Sequence, residues 1–274
     1  VKMRGRGPNA SAAELVRLLR DEVAAAPCDF TRTPPPDMKL WPPPEPLVLS
    51  NVTGGWPAHE FGREDLLAKF RDWHFPLSTF LRDCWLALVN RGGKLAKAPI
   101  ETSFDEYLAI RAATNRNIFF FLRDDTRDTE VSARHTRQRQ FFEDLAAVFQ
   151  PPALFASPLR IFAGDGLASG HGMHRHKEAW LVSLAGRKVW WAAPPSAGPV
   201  QTSPDRRPVF PYKALETEEG GWPCAWLLDE DLVPEGDIRR CVQLPGEMVV
   251  LPEGWWHMTC SLDEVSFALG GQEA

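Results

Sequence analysis

Hydrophobic positions recur along this chain in two different ways. In the first part, Leu15, Leu18, Leu19 and Val23 lie three or four residues apart and predict an amphipathic helix over residues 10–26. Similar spacing predicts further helices over residues 63–73, 104–113 and 139–149. From residue 159 onward, short apolar runs alternate with Gly and Pro turns, which is typical of strands in a sandwich or barrel. These strands are predicted over residues 159–163, 179–185, 188–193, 247–251 and 265–269, with earlier ones at 46–50 and 117–122.

Two proline runs separate the first predicted helix from the rest of the chain. They occupy residues 34–36 and 42–46, and proline at this density excludes helix and favours a stiff, extended connector. We therefore divide the chain into residues 1–44, an N-terminal helix with its proline-rich connector, and a domain over residues 45–274. The fold class is mainly β with α, a helical N-terminal half wrapped around a C-terminal β-barrel.

Composition narrows the class of protein. Of 274 residues, 44% are hydrophobic, which is enough for a sizeable core without disulfides. The net charge of −5 argues against a nucleic-acid partner. No apolar run approaches the roughly 20 residues needed to cross a bilayer, and residues 1–7 lack the hydrophobic stretch of a signal peptide. We expect no membrane partner, and the pattern does not predict an oligomeric state.

The number and spacing of the cysteines indicate the redox state of the cellular compartment in which we expect the protein. They are odd in number, scattered, and form no CxxC pair. This spacing favours free thiols in a reducing environment over a disulfide framework, and hence a cytoplasmic or nuclear location. The five are Cys28, Cys84, Cys224, Cys241 and Cys260.

Three of the seven histidines fall within six residues, at His171, His174 and His176. On a strand, residues two apart face the same side, so His174 and His176 can present two imidazoles to one ion. Histidines clustered on a loop are also common as ordinary polar surface. Taken alone, this cluster leaves both readings open.

A second motif adds a third histidine. Residues 246–257 read Gly-Glu-Met-Val-Val-Leu-Pro-Glu-Gly-Trp-Trp-His, which fits the pattern G-x5-P-x-G-x2-H at every fixed position. Gly246 turns the chain into a strand, Pro252 and Gly254 make a tight corner, and His257 opens the next strand. Since the strands of a small barrel converge on one interior, His257 can meet His174 and His176.

These segments resemble a known family. The second motif is the distal cupin motif, and residues 165–180 with residues 185–195 resemble the Jumonji-C (cupin-like) oxygenases in their small form with an HxH sequence. The likeness begins at residues 45–57, includes residues 104–107 and 119–124, and extends to about residue 272. The resemblance implies a double-stranded β-helix (the cupin or jelly-roll barrel) for the domain at 45–274.

The family's chemistry implies Fe(II), with 2-oxoglutarate as co-substrate, and a metal held by two histidines and one carboxylate. By position, His174 is the first ligand and His257 the last, but His176 stands where the carboxylate is expected. Three readings follow: three imidazoles hold iron or another divalent metal (Zn, Cu, Ni or Mn), Glu178 supplies the carboxylate if the strand bulges, or the site is degenerate.

The resemblance also suggests how the co-substrate is bound. Lys188 falls where many members grip the distal carboxylate of 2-oxoglutarate, and Arg160 is an alternative carboxylate partner. His171 falls where some members place a co-substrate-binding hydroxyl. Leu181 and Leu269 stand where relatives carry a pocket asparagine and threonine, which removes two hydrogen-bond partners. Each of Lys188, Arg160 and His171 also has an ordinary reading as a surface or turn residue.

The leading function is therefore an Fe(II)- and O2-dependent oxygenase, a dioxygenase using 2-oxoglutarate to hydroxylate a peptide side chain or a small molecule. Beyond the metal ligands, no catalytic residue is predicted. One rival is a three-histidine metal cupin enzyme that does not use 2-oxoglutarate. The other is a catalytically silent Jumonji-like module retained for protein interaction.

Overall fold

The structure is a computed structural model that describes most of the C-terminal part of the chain and selected earlier segments. The described residues are 28–34, 43–55, 74–76, 101–103, 120–125, 159–167, 174–197 and 238–272, with single positions at 17, 21, 64, 65, 68, 71 and 170. Twelve strands lie among them: β1 Thr31–Thr33, β2 Leu47–Leu49, β3 His74–Pro76, β4 Glu101–Ser103, β5 Phe120–Asp125, β6 Leu159–Gly166, β7 Ala179–Ala185, β8 Lys188–Ala193, β9 Arg239–Gln243, β10 Met248–Leu251, β11 Trp256–Ser261 and β12 Val265–Gln272.

The strands form two principal sheets. A seven-stranded sheet has the order β1-β2-β10-β7-β12-β6-β5, and a three-stranded sheet has the order β11-β8-β9. All pairings in these sheets are antiparallel except β1 with β2, which are parallel. Strands β3 and β4 pair with each other separately, and a short 3-10 helix follows β2 at Val52–Gly55.

One buried cluster draws side chains from both principal sheets. Its members come from the segment before β1, from β2 and β10 of the larger sheet, and from β8, β9 and the β10–β11 corner. They are Phe30, Val48, Trp190, Ala192, Cys241, Val249, Leu251 and Trp255. The inner faces of the two sheets therefore share a core, and the described part of the chain is a mainly β, sandwich-like structure.

The predicted strands are confirmed over most of their length. β7 and β8 have the predicted bounds, β6 and β12 run three residues longer, and β10 begins one residue later. β5 overlaps the predicted run at 117–122. The sequence reading missed β9, whose Arg239-Arg240 start looks unlike a buried strand. The position of β9 in the sheet is set by its pairing with β8, which lies about 50 residues earlier in the chain.

The predicted helices at 104–113 and 139–149 lie outside the described residues. Of the helices at 10–26 and 63–73, only scattered positions are described. Arg17 and Asp21, one turn apart, form an ion pair at 3.3 Å. Among the described residues, no helix is long and apolar enough to cross a membrane.

The prediction of free thiols is wrong for all three cysteines in the described part of the chain. Cys28 forms a disulfide with Cys241, 213 residues away, and Cys260 is disulfide-bonded as well. Cys28 precedes β1 and Cys241 lies in β9, so the two meet through the tertiary fold and their sequence spacing carries no signal. Disulfides are rare in the cytosol and nucleus, so the cysteine argument for a cytoplasmic or nuclear location no longer holds.

The segment around β1 is also held by polar contacts. The Arg32 guanidinium binds the buried Glu247 carboxylate, with Nε 2.9 Å and Nη2 3.2 Å from its two oxygens. Asp29 and Arg240 exchange backbone and side-chain hydrogen bonds of 2.8 and 2.9 Å. Residues 28–33, in the region we assigned to the connector, therefore pack on β9 and the turn before β10.

Candidate metal centre

The three-stranded sheet carries the candidate site at one edge. His257 lies in β11, opposite Ala192 of β8, and its other side forms an isolated bridge with His174. The two histidines exchange both backbone hydrogen bonds, His174 N–H to His257 O at 3.0 Å and the reverse at 2.8 Å. This pairing places both side chains on the same face of the sheet, although they are 83 residues apart in sequence.

The corner between β10 and β11 brings His176 to the same place. Gly246 and Gly254 have φ of 83° and 80°, a region that side chains with a Cβ rarely adopt, as expected from the turn chemistry of the motif. The Gly254 N–H donates to the carbonyl of His176 at 2.9 Å. The motif therefore supplies His257 and also anchors the backbone that carries His176.

The three imidazole rings converge. Ring centroids are 4.1 Å apart for His174 and His257, 4.6 Å for His176 and His257, and 5.2 Å for His174 and His176. One nitrogen from each ring lies within 4.8 Å of the others. Two nitrogens that bind one ion at about 2.1 Å each are at most about 4.2 Å apart, so small ring rotations suffice to close the triad on an ion.

Two of the rings are oriented by backbone carbonyls. Nδ1 of His257 lies 3.0 Å from the Trp255 carbonyl, and Nδ1 of His176 lies 2.6 Å from the Lys177 carbonyl. A carbonyl only accepts hydrogen bonds, so each Nδ1 is the donor, and in the neutral imidazole Nε2 then keeps the lone pair that binds a metal. This tautomer is the one that histidine ligands use when a second group orients the ring.

Burial differs among the three histidines. His257 is only 3% exposed, whereas His174 and His176 are half-buried. The site therefore has a protected inner side and an accessible outer side. Such an opening is needed if small molecules are to reach a bound ion.

Glu178 lies outside this convergent group. It lines a cavity of about 520 Å³ with two other glutamates, four prolines and Trp255, and the three histidines are not among the lining residues. The full lining is Pro43, Pro44, Glu45, Glu178, Pro195, Pro252, Glu253 and Trp255. The geometry brings His176, and not Glu178, to the other two histidines.

Two ion pairs frame the cavity. Arg239 donates to the Glu45 carboxylate at 2.6 and 3.1 Å and lies 5.4 Å from the Trp255 ring centroid. The hydrogen bond from Arg239, and then its positive charge, lower the pKa of Glu45. Lys177 pairs with Glu253 at 2.7 Å on another part of the lining.

Lys188 shares a face of the three-stranded sheet with His257. It pairs with Ser261 of β11, four residues beyond His257, and an even separation along a strand preserves the facing side. Its side chain is 3% exposed. Lys188 therefore lies on the sandwich interior, unlike the exposed hairpin lysine that was the alternative reading.

The two pocket positions on the larger sheet differ from each other. Leu181 packs against the shared core, so it faces the interior. Leu181 pairs with Gly270 of β12. Leu269 pairs with Val182, the neighbour of Leu181 in β7, and therefore lies on the opposite face of the sheet. Leu181 and Leu269 therefore do not line one pocket together. The register shift between Phe267 and Ala268 is not visible in the sequence.

The remaining predicted site residues are less fully described. Arg160 lies in β6, opposite Gly271 of β12 and Asp124 of β5. His171 lies outside the described residues.

Sequence reasoning missed the residues that support His257 from inside the sandwich. The Trp190 ring lies 6.2 Å from the His257 ring, between centroids, at 34° between planes. Its Nε1 donates to Gln243 Oε1 at 2.8 Å. The alternation of residues along β8 could have placed Trp190 on the same face as Lys188 and Ala192. Gln243 lies in β9, which the sequence did not predict.

Fold and site together define a cupin-like β-sandwich with a three-histidine centre at the edge of its smaller sheet. Comparison with known proteins agrees. Lysine-specific demethylase JMJ21 of Arabidopsis thaliana is 26% identical over 231 residues, which cover 80% of this chain and 22% of that protein. JmjC domain-containing protein 8 of Rattus norvegicus is 25% identical over 237 residues, 81% of this chain and 72% of the relative. The chain is thus related to the JmjC-domain proteins, and the resemblance seen in the sequence is confirmed.

A shorter match bears on chemistry. 2-Oxoglutarate and iron-dependent oxygenase JMJD4 of Mus musculus is 33% identical over 90 residues, 31% of this chain and 19% of that protein. No protein-family model matches the chain. The chain spans about a fifth of JMJ21 and 72% of the rat protein, so the relatives differ widely in what they carry beyond the shared region.

Proposed function

We propose that this protein is a metal-dependent oxygenase whose ion is held by His174, His176 and His257. The observation that carries the proposal is the convergence of three imidazoles, two of which have Nδ1 bonded to a backbone carbonyl and so offer Nε2 to an ion. Their chemistry fits a divalent transition metal, and Fe(II) follows from the relative named as an iron-dependent oxygenase. Glu178 is the alternative third ligand, but its position on the cavity wall favours His176.

We further propose that residues 45–274 form one JmjC-like domain with the double-stranded β-helix of cupins, preceded by residues 1–44. The facing sheets and the interior site support this architecture. The contacts of residues 28–33 with β9 would make part of the preceding segment a structural element of the domain.

Fe(II) bound at such a centre would supply the oxidation of a C–H bond by O2. The reaction would convert 2-oxoglutarate to succinate and CO2 and place one oxygen atom on the substrate. The residues described here act around that chemistry. His257 keeps its ring fixed through the Trp255 carbonyl, and His176 through the Lys177 carbonyl. The buried wall formed by Trp190 and Trp255 keeps bulk water from the inner side of the centre.

Lys188 is the proposed partner of the co-substrate's distal carboxylate. It lies on the same face as His257, about 13 Å along the strand. A five-carbon diacid and the four-carbon lysine stem together match such a span, and a buried ammonium binds a carboxylate strongly. Arg160 and His171 remain candidate contributors on sequence grounds alone.

The cavity beside the centre is the proposed route for the substrate. Its proline and Trp255 surfaces suit an alkyl chain. Two of its three glutamates are paired with Arg239 and Lys177. Two relatives are named for arginine, as arginine-specific demethylase JMJ22 and as a bifunctional arginine demethylase and lysyl-hydroxylase. These names favour a peptide with a basic side chain over a small molecule.

One observation favours a second function, a three-histidine cupin enzyme that does not use 2-oxoglutarate. Leu181 presents an apolar side chain to the interior where the family commonly has an asparagine. With no carboxylate ligand, the centre is also more positive by one charge than the usual triad. A silent interaction module is the third candidate, and it predicts no metal at all.

A single experiment separates the three. Elemental analysis of the purified protein is followed by a succinate-release assay with Fe(II), ascorbate, 2-oxoglutarate and a library of basic peptides. The oxygenase proposal expects about one metal per chain and succinate formation, both lost in His174→Ala and His257→Ala. If the protein binds metal but forms no succinate with any peptide of the library, the second function is supported. Full metal occupancy in both variants would show that the ion is held elsewhere.

A further inference from the structure

We propose that Gln243 is a positioning residue for the metal centre, acting on His257 through the Trp190 indole. The inference rests on the metal centre of the proposed function but not on 2-oxoglutarate use. It starts from a buried amide in β9. Gln243 is completely buried, with 0% exposure, in a sandwich whose core is otherwise largely apolar.

Both N–H groups of the Gln243 side-chain amide donate hydrogen bonds to backbone carbonyls of the protein. Nε2 donates to the Leu181 carbonyl at 2.7 Å and to the Glu247 carbonyl at 2.8 Å. Oε1 accepts from Trp190 Nε1 at 2.8 Å. A primary amide has two N–H donors, and both are occupied. Gln243 therefore works as a bridge between parts of the protein, with no donor left for a ligand.

The bridge joins the two sheets. Gln243 and Trp190 belong to the three-stranded sheet, while Leu181 lies in β7 of the seven-stranded sheet and Glu247 immediately precedes β10 of that sheet. The Gln243 side chain fixes the distance between the sheets at this point and the rotation of the indole about its own axis. Since a buried indole N–H without a partner is costly, the Trp190 ring is held in one orientation.

The orientation of Trp190 matters because of what its ring contacts. The Trp190 and His257 rings have centroids 6.2 Å apart, within the range of packed aromatic pairs. His257 is the deeply buried member of the triad, and its other fixed points are the Trp255 carbonyl and the backbone bridge to His174. The Trp190 face thus limits the tilt of the ring whose Nε2 meets the ion.

The test is metal affinity with Co(II) as the probe, because its d–d absorption reports ligand geometry. Gln243→Met keeps the length of the side chain and removes the amide, and Trp190→Phe keeps an aromatic ring and removes the N–H. Each variant is expected to raise the Kd for Co(II) about tenfold and to shift the d–d spectrum. A tenfold loss is at the lower end of the effects seen when a group that orients a metal ligand is removed. The double variant should lose little more than either single one, because both act through the same hydrogen bond.

Ser183→Ala is the matched control. Ser183 is also completely buried in the sandwich, and its Oγ donates to the Gly186 carbonyl at 2.7 Å, away from the histidines. It should lower the melting temperature while leaving the Co(II) Kd and spectrum as in wild type. A merely structural role for Gln243 would make Gln243→Met behave in the same way, and that result would overturn the proposal.

The wild-type measurement separates this inference from the proposed function. If the wild type binds Co(II) but releases no succinate, the 2-oxoglutarate reading fails, and the variants still decide the role of Gln243. If the wild type binds no Co(II), the three-histidine centre is refuted and the role of Gln243 with it. If the two single variants weaken binding additively in the double variant, the indole–amide hydrogen bond is not the link.

Discussion

At the scale of single residues, the proposed centre differs from the usual JmjC pattern at His176. An imidazole in place of a carboxylate leaves the ion with three neutral ligands, and each must be free of a proton at the coordinating nitrogen. We expect His176→Asp to keep the metal, because a carboxylate at this position restores the family's usual triad. Metal binding should also become less sensitive to acid, since one imidazole no longer competes with protons.

The measurement is metal content and Fe(II) or Co(II) affinity across a pH series, with His176→Ala as control. That control removes the ligand without replacing it, and it should lose affinity at every pH. Equal metal affinity in wild type and His176→Ala would mean that His176 is not a ligand. Glu178→Gln would then be the informative variant, since Glu178 is the alternative donor.

A second residue-scale prediction concerns Lys188. Its removal by Lys188→Ala should raise the KM for 2-oxoglutarate by about tenfold or more, from loss of a charge-assisted contact of about 1.5–3 kcal/mol. Binding of Co(II) should stay as in wild type, since Lys188 lies four positions along the strand pair from His257. A KM unchanged in Lys188→Ala would place the co-substrate elsewhere, with Arg160→Ala as the next variant to measure.

The convergence of the three histidines was largely predictable, and the contacts of Gln243 were not. Histidines two apart on an extended segment, and a turn motif rich in Gly and Pro, are local patterns with a local physical meaning. The contacts of Gln243 depend on β9 pairing with β8 and on the approach of β7 from the other sheet. No local pattern contains that information, because the partners are 53 and 62 residues away.

At the scale of elements, the β7–β8 hairpin is fastened to the corner between β11 and β12. Arg187, in the hairpin turn, donates through Nε and Nη2 to the two Asp263 oxygens at 3.0 and 2.7 Å, and its backbone N–H donates at 2.8 Å. The hydrogen bond with Asp263 raises the pKa of Arg187, so the guanidinium stays charged. One carboxylate thus fixes both turns at the end of the sandwich where Lys188 begins β8.

We expect Asp263→Ala to lower the free energy of unfolding by about 1–2 kcal/mol, because three hydrogen bonds lose their acceptor at a partly exposed site. Urea denaturation measures this. Glu253→Ala is the control, since it removes a simple ion pair to Lys177 between side chains 60% and 50% exposed. It should change stability by less than about 0.5 kcal/mol. Equal effects of the two variants would contradict the role given to Asp263.

Strand positions were easier to predict than strand register. β8 is recognisable as the run Lys-Val-Trp-Trp-Ala-Ala, and both of its faces are buried. In β12, the irregularity between Phe267 and Ala268 sets Leu269 against Val182 and Gly270 against Leu181. A shift of one residue exchanges the two faces of a strand, so placing β12 correctly did not establish which face Leu269 lies on.

At the scale of the whole molecule, the segment before β1 is tied to β9 by covalent and polar links. The Cys28–Cys241 disulfide closes a loop of 213 residues, and the Arg32–Glu247 pair lies beside it. Such a long-range link restricts the unfolded chain far more than the folded one. Cys241 also pairs directly with Trp190 across β8 and β9, so the link joins the N-terminal segment to the wall of the metal centre.

The last prediction follows from this closed loop. Replacing both cysteines, as Cys28→Ala with Cys241→Ala, should lower the free energy of unfolding by about 3–5 kcal/mol, since loop-closure entropy grows with the length enclosed. Urea denaturation without reductant measures the change, and thiol labelling of the oxidised wild type should leave Cys28 and Cys241 unmodified. Reduced wild type is the second comparison, although reduction also opens the disulfide of Cys260. If labelling finds both thiols free, or if the variant unfolds at the same urea concentration as the oxidised wild type, the covalent link does not stabilise the protein. If stability falls but Co(II) affinity is kept, the disulfide holds the N-terminal segment without tuning the metal centre, which Gln243 and Trp190 then position independently of the covalent link.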